Sequence, residues 1–305
     1  MNKPIITAAL AAVMAVAVAL AWRKHRMRFL AASPRVQFPQ AELLAPHVWV
    51  IPNFLTESEV LHLRAIGASS TKMMQTSSSY ESVEFRRPWE PSSDPIVNSI
   101  ESRIGNLAGI PPNTRDSPLR LSVSRPWVHD PANDGKTHQL QNLHHDKLKA
   151  PERVLTTLLY LSDAPSDGLR GGDTIFPCAA RPMHSSPLCD RLQRAFEEGD
   201  LFLSPPGGIH SSHDCFDASA AAAVSDLCAD SHRSSSNHGE AGDRVPDAAA
   251  DHDGVVRVTP ERGTALLFLH EAQAGGVLTR SAWHGGCRVA SGSKWTMQQF
   301  KALAT

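Results

Sequence analysis

The chain has 305 residues, enough for one large domain with a terminal segment or for two small domains. Its 30 Lys and Arg balance 31 Asp and Glu, which excludes a basic field for nucleic acid and an acidic one for a basic partner. The five cysteines show no CxxC spacing, which argues against a structural zinc site and leaves the redox compartment undecided.

Ile5 to Trp22 is an apolar run with Thr7 its only polar residue, followed at once by Arg23, Lys24, His25, Arg26 and Arg28. At ~1.5 Å rise per residue this run just spans a hydrocarbon core of roughly 30 Å. We read residues 1–28 as a transmembrane anchor with a basic flank; a cleaved signal peptide is the main rival and a mitochondrial presequence a weaker one. The basic flank argues for a cytosolic position of the residues after Arg28. Residues 29–46 read as a linker, and 47–305 as one folded domain.

Val48 to Phe54 (VWVIPNF) reads as a strand running into a turn. Thr56 and Glu59 then form a capping-box pattern ahead of an apolar face of Val60, Leu61, Leu63 and Ile66, with Gly67 as the expected stop. A second helix is predicted from about Asp94 to Leu107, with Pro95 in its first turn and Ile96, Ile100, Ile104 and Leu107 at helical spacing. Leu119 to Val123 reads as a strand. Val154 to Leu161 (VLTTLLYL), Thr264 to Leu269 and Trp295 to Phe300 read as three further buried strands.

Between Pro177 and Val255 the composition shifts to Ser, Ala, Asp, His and Gly, too polar to offset ordering entropy by burial. We expect a disordered insertion at about 180–253 within one domain, with a short helix around Leu188 to Phe196. Several of the 15 histidines lie there, so the high histidine count argues only slightly for metal chemistry.

His144-His145-Asp146 carries the chemistry. In a strand, residues i and i+2 share a face, so His144 and Asp146 aim together while His145 turns away as a packing neighbour. His284 lies far along the chain in SAWHGGCRV. Two histidines and one carboxylate make the facial set of non-haem iron(II) oxygenases, which leaves open metal positions for a 2-oxo acid and dioxygen. Lys294, ten residues after His284, is the candidate to hold the far carboxylate of that acid. Cys287 reads as a small buried residue rather than a nucleophile, and Trp283 and Trp295 as core.

Several blocks resemble the prolyl 4-hydroxylases of the 2-oxoglutarate/Fe(II)-dependent dioxygenase superfamily. His144-His145-Asp146 is similar to the HxD motif, Val154 to Asp163 to the strand after it, and Gly171 to Pro177 (GGDTIFP) to GGETxFP. Gly263 to Phe268 is similar to GxALLF, His284 to Val289 to HxGCPV with Arg288 for Pro, and Gly292 to Trp295 to GxKW. VWVIPNFLTESE also resembles the entry strand and first helix. The likeness covers roughly 47–177 and 254–301.

The resemblance implies a mainly β fold with flanking helices (α+β), built on a double-stranded β-helix or jelly-roll core. It implies that His144, Asp146 and His284 hold Fe(II), that Lys294 binds 2-oxoglutarate, and that Thr174 lines the co-substrate pocket. It implies hydroxylation of peptidyl proline with dioxygen, release of succinate and CO2, and L-ascorbate as reductant. The same chemistry on lysine or a small molecule is one alternative; a catalytically decayed, membrane-tethered binding protein is another. The chain departs from the family at the tyrosine three residues before the first histidine, where Gln141 stands, and at a second tyrosine absent from LSVSRP. About ten extra residues, Trp127 to Lys136, precede the motif. The resemblance favours the endoplasmic reticulum membrane with a lumenal catalytic domain; the basic flank favours the cytosol, and the side stays open.

Overall fold

The computed structural model describes residues 41–69, 74–77, 80–84, 94–110, 116–126, 140–148, 152–179, 255–273 and 277–302, with isolated positions at 112, 150, 189, 190, 192–194 and 228. The expected anchor, most of the linker, the stretch Trp127 to Lys136 and nearly all of the expected insertion lie outside the described residues. Among the described residues, no helix is long and apolar enough to cross a membrane.

The described chain is mainly β, with antiparallel pairing throughout. Two short strands, β1 (Glu42–Ala45) and β2 (Val48–Ile51), form the entry hairpin. Helix α1 (Glu57–Ser69) comes next. Its start is the expected capping box: Glu59 N–H donates to Thr56 Oγ1 at 3.3 Å, and Thr56 N–H donates to Glu59 Oε2 at 2.8 Å. Its end differs from expectation. The helix runs past Gly67, which is buried against the sheet; a Cβ there would lie 2.7 Å from Trp295 Cζ3. Gly67 lets the helix approach the sheet rather than stopping it.

Strands β3 (Met74–Ser77) and β4 (Tyr80–Glu84) lead to helix α2 (Pro95–Ala108). Asp94 caps α2 by accepting from Ile96 N–H at 2.9 Å and Val97 N–H at 3.1 Å, and Gly109 closes it in the left-handed conformation at φ 62°. The remaining elements are β5 (Arg120–Ser124), β6 (Leu140–His144), β7 (Arg153–Tyr160), the short α3 (Ala164–Asp167), β8 (Arg170–Gly171) and β9 (Thr174–Phe176). After the insertion come β10 (Val256–Val258), β11 (Ala265–Leu269), β12 (Glu271–Gln273), β13 (Val277–Leu278), β14 (His284–Cys287), β15 (Val289–Ser291) and β16 (Lys294–Ala302).

Two larger sheets result. The major one has the order β1-β2-β11-β7-β16-β5-β4-β3, and the minor one β10-β9-β14-β6. Period-2 alternation explains how they stack. Leu155 and Leu159 of β7, Ala265, Leu267 and Leu269 of β11, and Met297 of β16 pack with Val60, Leu63, Ile100 and Ile104 of the helices. The intervening residues, Tyr160, Leu266 and Phe268, turn the other way and pack with Phe176, Val256 and Val258 of the minor sheet. The central strands are therefore covered on both faces, which is why they read as unbroken apolar runs. Full burial of each such side chain contributes about 1.5–3 kcal/mol.

The last strand is pinned by a buried ion pair between Lys301 and Asp116, both fully buried; the second Asp116 oxygen accepts from Ala302 N–H at 3.1 Å. Two disulfides, Cys178–Cys189 and Cys228–Cys287, form; Cys287 is buried, as expected, and its bridge was not anticipated. Their pairing was not legible because three of these cysteines lie in or beside a segment of low-complexity composition.

Candidate metal centre

The site sits on the face of the minor sheet that looks toward the major one. Strand β14 lies between β9 and β6, and His284 stands directly across from His144 in the β14–β6 register. Cross-strand pairing, not helical or loop spacing, therefore brings two residues 140 positions apart into contact; their ring centroids lie 4.3 Å apart.

Asp146 arrives differently from the sequence expectation. Strand β6 ends at His144, and Asp146 opens a single 3-10 turn over Asp146–Leu148. The turn, rather than strand alternation, returns the carboxylate to His144, with Oδ1 3.3 Å from His144 Nε2. Oδ2 lies 3.8 Å from His284 Nε2. Among the described residues, one donor atom each from His144, Asp146 and His284 lies within 4.8 Å of the others.

The proton arrangement suits a metal. His284 Nδ1 is 2.9 Å from Ala282 O, which only accepts, so Nδ1 carries the proton and the Nε2 lone pair points into the cluster. Asp146 is buried, and burial alone would raise its carboxyl. The imidazoles of His284 and His144 outweigh that and hold it well below the ordinary carboxylate range, so it is ionised. His145 faces away: it is fully buried, edge-on to Trp283 at 5.6 Å, and pushed down to about 3, chiefly by burial. Its Nδ1 accepts from Lys147 N–H at 3.3 Å. It packs as expected, and Trp283 is core as expected.

Beside this cluster lies a buried group of polar side chains. Thr174 is on β9, across from Gly286 in the β14 register. Lys294, at the start of β16, is 8% exposed and reaches Thr174 Oγ1 at 3.5 Å. Tyr160 OH donates to the same Thr174 oxygen at 2.8 Å, and Lys294 Nζ sits 5.5 Å above the Tyr160 ring centroid. Gly172, at φ 79°, clears the way for the lysine stem: a Cβ there would lie 3.1 Å from Lys294 Cδ. Burial pushes the Lys294 ammonium down to about 8, with Asp173 partly offsetting it. A buried cation flanked by two hydroxyls makes a receptor for an anionic group.

Tyr160 was missed by sequence reasoning, which read VLTTLLYL only as a buried strand. Alternation along β7 was the available signal, since Thr156 and Tyr160 share the face turned to the minor sheet. The side chain of Gln141 lies outside the described residues.

No family model matches the chain. Its sequence aligns with probable prolyl 4-hydroxylase 8 of Arabidopsis thaliana at 24% identity over 267 residues, 82% of this chain and 67% of that protein. It aligns with prolyl 4-hydroxylase 5 of the same plant at 23% identity over 266 residues, 82% of this chain and 66% of that protein.

The chain is similar to the plant prolyl 4-hydroxylases.

The aligned region spans about two thirds of the length of these prolyl 4-hydroxylases. Among solved structures, the viral collagen prolyl hydroxylase of Paramecium Bursaria Chlorella virus-1, in its 2OG complex, aligns with a TM-score of 0.44 at 14% identity, covering 85% of this chain and 97% of that one.

Proposed function

We propose that the chain is an Fe(II)/2-oxoglutarate-dependent dioxygenase of the prolyl 4-hydroxylase type, hydroxylating proline in a protein or peptide, with a double-stranded β-helix as its core. The observation that carries this reading is the convergence of His144, Asp146 and His284 on one point, next to the buried group of Lys294, Thr174 and Tyr160.

The donor set fits Fe(II). Two neutral imidazole nitrogens and one carboxylate are the ligands of the facial type, with further coordination positions left for co-substrates. Fe(II) held by His144, Asp146 and His284 would, with 2-oxoglutarate and dioxygen, supply the oxidising power for C–H hydroxylation, with succinate and CO2 as co-products.

The chain's own residues do the rest. His284 keeps its lone pair on the cluster because Ala282 O holds the other ring proton. Lys294 pairs with the distal carboxylate of 2-oxoglutarate, and Thr174 and Tyr160 add hydroxyls at the same end. Phe268 and Phe176, with ring centroids 4.5 and 5.9 Å from His284, keep one side of the centre apolar and dry. L-ascorbate serves as the reductant that keeps the iron ferrous. The two disulfides support an oxidising compartment of the secretory type for the domain.

The test is succinate release by the purified chain with Fe(II), 2-oxoglutarate and ascorbate, with proline-containing peptides and matched peptides lacking proline. Proline-dependent turnover that disappears in His144→Ala and Asp146→Ala is the expected result. Turnover stimulated equally by peptides without proline points to another substrate, and absence of both turnover and 2-oxoglutarate binding overturns the enzyme.

A further inference from the structure

Behind Asp146 stands a pair of side chains that neither holds the metal nor lines the 2-oxoglutarate pocket. Thr156 Oγ1 donates to Asp146 Oδ2 at 2.5 Å, and the same oxygen lies 2.8 Å from His270 Nε2. A hydroxyl has one proton. That proton points at Asp146 Oδ2, so His270 donates its Nε2–H to the threonine oxygen. The direction of the chain is therefore fixed: imidazole to hydroxyl to carboxylate.

Each member is held rigidly. Thr156 is in β7 and faces the minor sheet, with Phe268 of β11 as its cross-strand partner. His270 comes directly after β11 and is fully buried. Its backbone N–H donates to Val154 O at 2.9 Å, its carbonyl accepts from Thr279 N–H at 3.1 Å, and its ring lies edge-on to Phe268 at 5.4 Å. A histidine and a threonine buried in an otherwise apolar interior are destabilising unless their polar atoms are used. Here Thr156 Oγ1 bonds one carboxylate oxygen, and His270 Nε2 bonds that hydroxyl.

We propose that Thr156 and His270 form a positioning relay that fixes Asp146 Oδ2 and presents Oδ1 alone to the metal, an inference that rests on the proposed metal centre. Of the two oxygens, Oδ1 lies 3.3 Å from His144 Nε2, and Oδ2, which accepts from Thr156, lies 3.8 Å from His284 Nε2. One-oxygen ligation matters for the chemistry. A carboxylate bound through both oxygens takes a further coordination position, and the set then has too few for a bidentate 2-oxo acid and dioxygen together. The relay keeps the position open and orients the ligand, as outer hydrogen bonds to metal-binding groups generally do.

The experiment uses the full chain, prepared metal-free, with Mn(II) and Co(II) as probes. Mn(II) affinity is measured by calorimetry and the Co(II) site by its visible spectrum, both without turnover. Thr156→Val keeps the shape and removes the hydroxyl; it is expected to weaken Mn(II) binding about 10-fold or more and to change the Co(II) spectrum. Thr156→Ser restores the hydroxyl and is expected to recover both. His270→Phe removes the second donor and is expected to shift both readouts in the same direction by a smaller factor. Either folded variant binding Mn(II) as tightly as the unsubstituted chain, with an unchanged Co(II) spectrum, overturns the relay. So does a Thr156→Ser variant as impaired as Thr156→Val, which also decides the matter if His270→Phe fails to fold. An unsubstituted chain that binds neither ion, or an Asp146→Ala variant that binds as well as the unsubstituted chain, refutes the metal centre itself rather than the relay.

Discussion

Cys287 and Cys228 are joined by a disulfide, so the strand that carries His284 is stapled, three residues further on, to a residue of the insertion. The bridge closes a loop of 59 residues in sequence separation. Loop closure of that size stabilises by about 4 kcal/mol in the chain-entropy description. The double substitution Cys228→Ser with Cys287→Ser is therefore expected to destabilise the chain by about 2–4 kcal/mol, measured by denaturant unfolding. Cys178–Cys189, with a separation of 11, is expected to contribute less.

The proposed role of Lys294 predicts a pH dependence for co-substrate binding. Its ammonium is pushed down to about 8 by burial, with Asp173 opposing, and a bound carboxylate would favour the charged form. Below about pH 8 the lysine is charged and 2-oxoglutarate affinity is expected to be flat. Above it, binding must take up a proton, and affinity is expected to fall by up to about tenfold per pH unit. Calorimetry in two buffers of different ionisation enthalpy reads this proton uptake directly. Lys294→Met is expected to cost roughly 10- to 100-fold in affinity, in line with about 1.5–3 kcal/mol for a charged hydrogen bond, and to abolish the pH dependence. The ligand-free chain has the opposite trend in stability. Between about pH 8 and the ordinary lysine value near ~10.4, the unfolded chain binds more protons than the folded one, so stability rises with pH there.

Asp116→Asn leaves the Lys301 ammonium buried without its counter-charge. Breaking one side of a buried pair costs about 3–5 kcal/mol. Thermal unfolding is expected to show a large fall in Tm, and the combined change Asp116→Asn with Lys301→Met is expected to recover part of it.

Gly67→Ala tests the close approach of α1 to the sheet. Alanine ordinarily favours a helix by about 1 kcal/mol over glycine. Here its methyl meets Leu121 and Trp295, and the overpacking is expected to outweigh the gain by about 1–3 kcal/mol. A more stable variant would show that the two side chains give way freely.

Much of the fold could be read from local chemistry. The capping box at Thr56, the Asp94 and Pro95 start and the strand patterns of β7, β11 and β16 are short-range signals, and each lies where expected to within a residue or two. The cluster of His144, Asp146 and His284 was legible through motif likeness, but its geometry was not. The route of Asp146 into the site depends on a turn that begins where the strand stops, and strand alternation gave the right direction for the wrong local structure. Gly67 was misread because a glycine that ends a helix and one that admits a neighbouring tryptophan look the same until the sheet is in place. The disulfides, Tyr160 and the Thr156–His270 pair depend on contacts between distant segments, and nothing local in their sequence marks them.

The pairing of β9 with β10 bears on the long stretch between them. Phe176 and Val256 are register partners, so the chain departs from the minor sheet and rejoins it at neighbouring points. For the sheet, those intervening residues are the tip of an ordinary hairpin, and closing such an excursion costs little more when it is long than when it is short. The β9–β10 pairing is thus indifferent to the length of that excursion, and what ties it to the strand of His284 is the Cys228–Cys287 bridge.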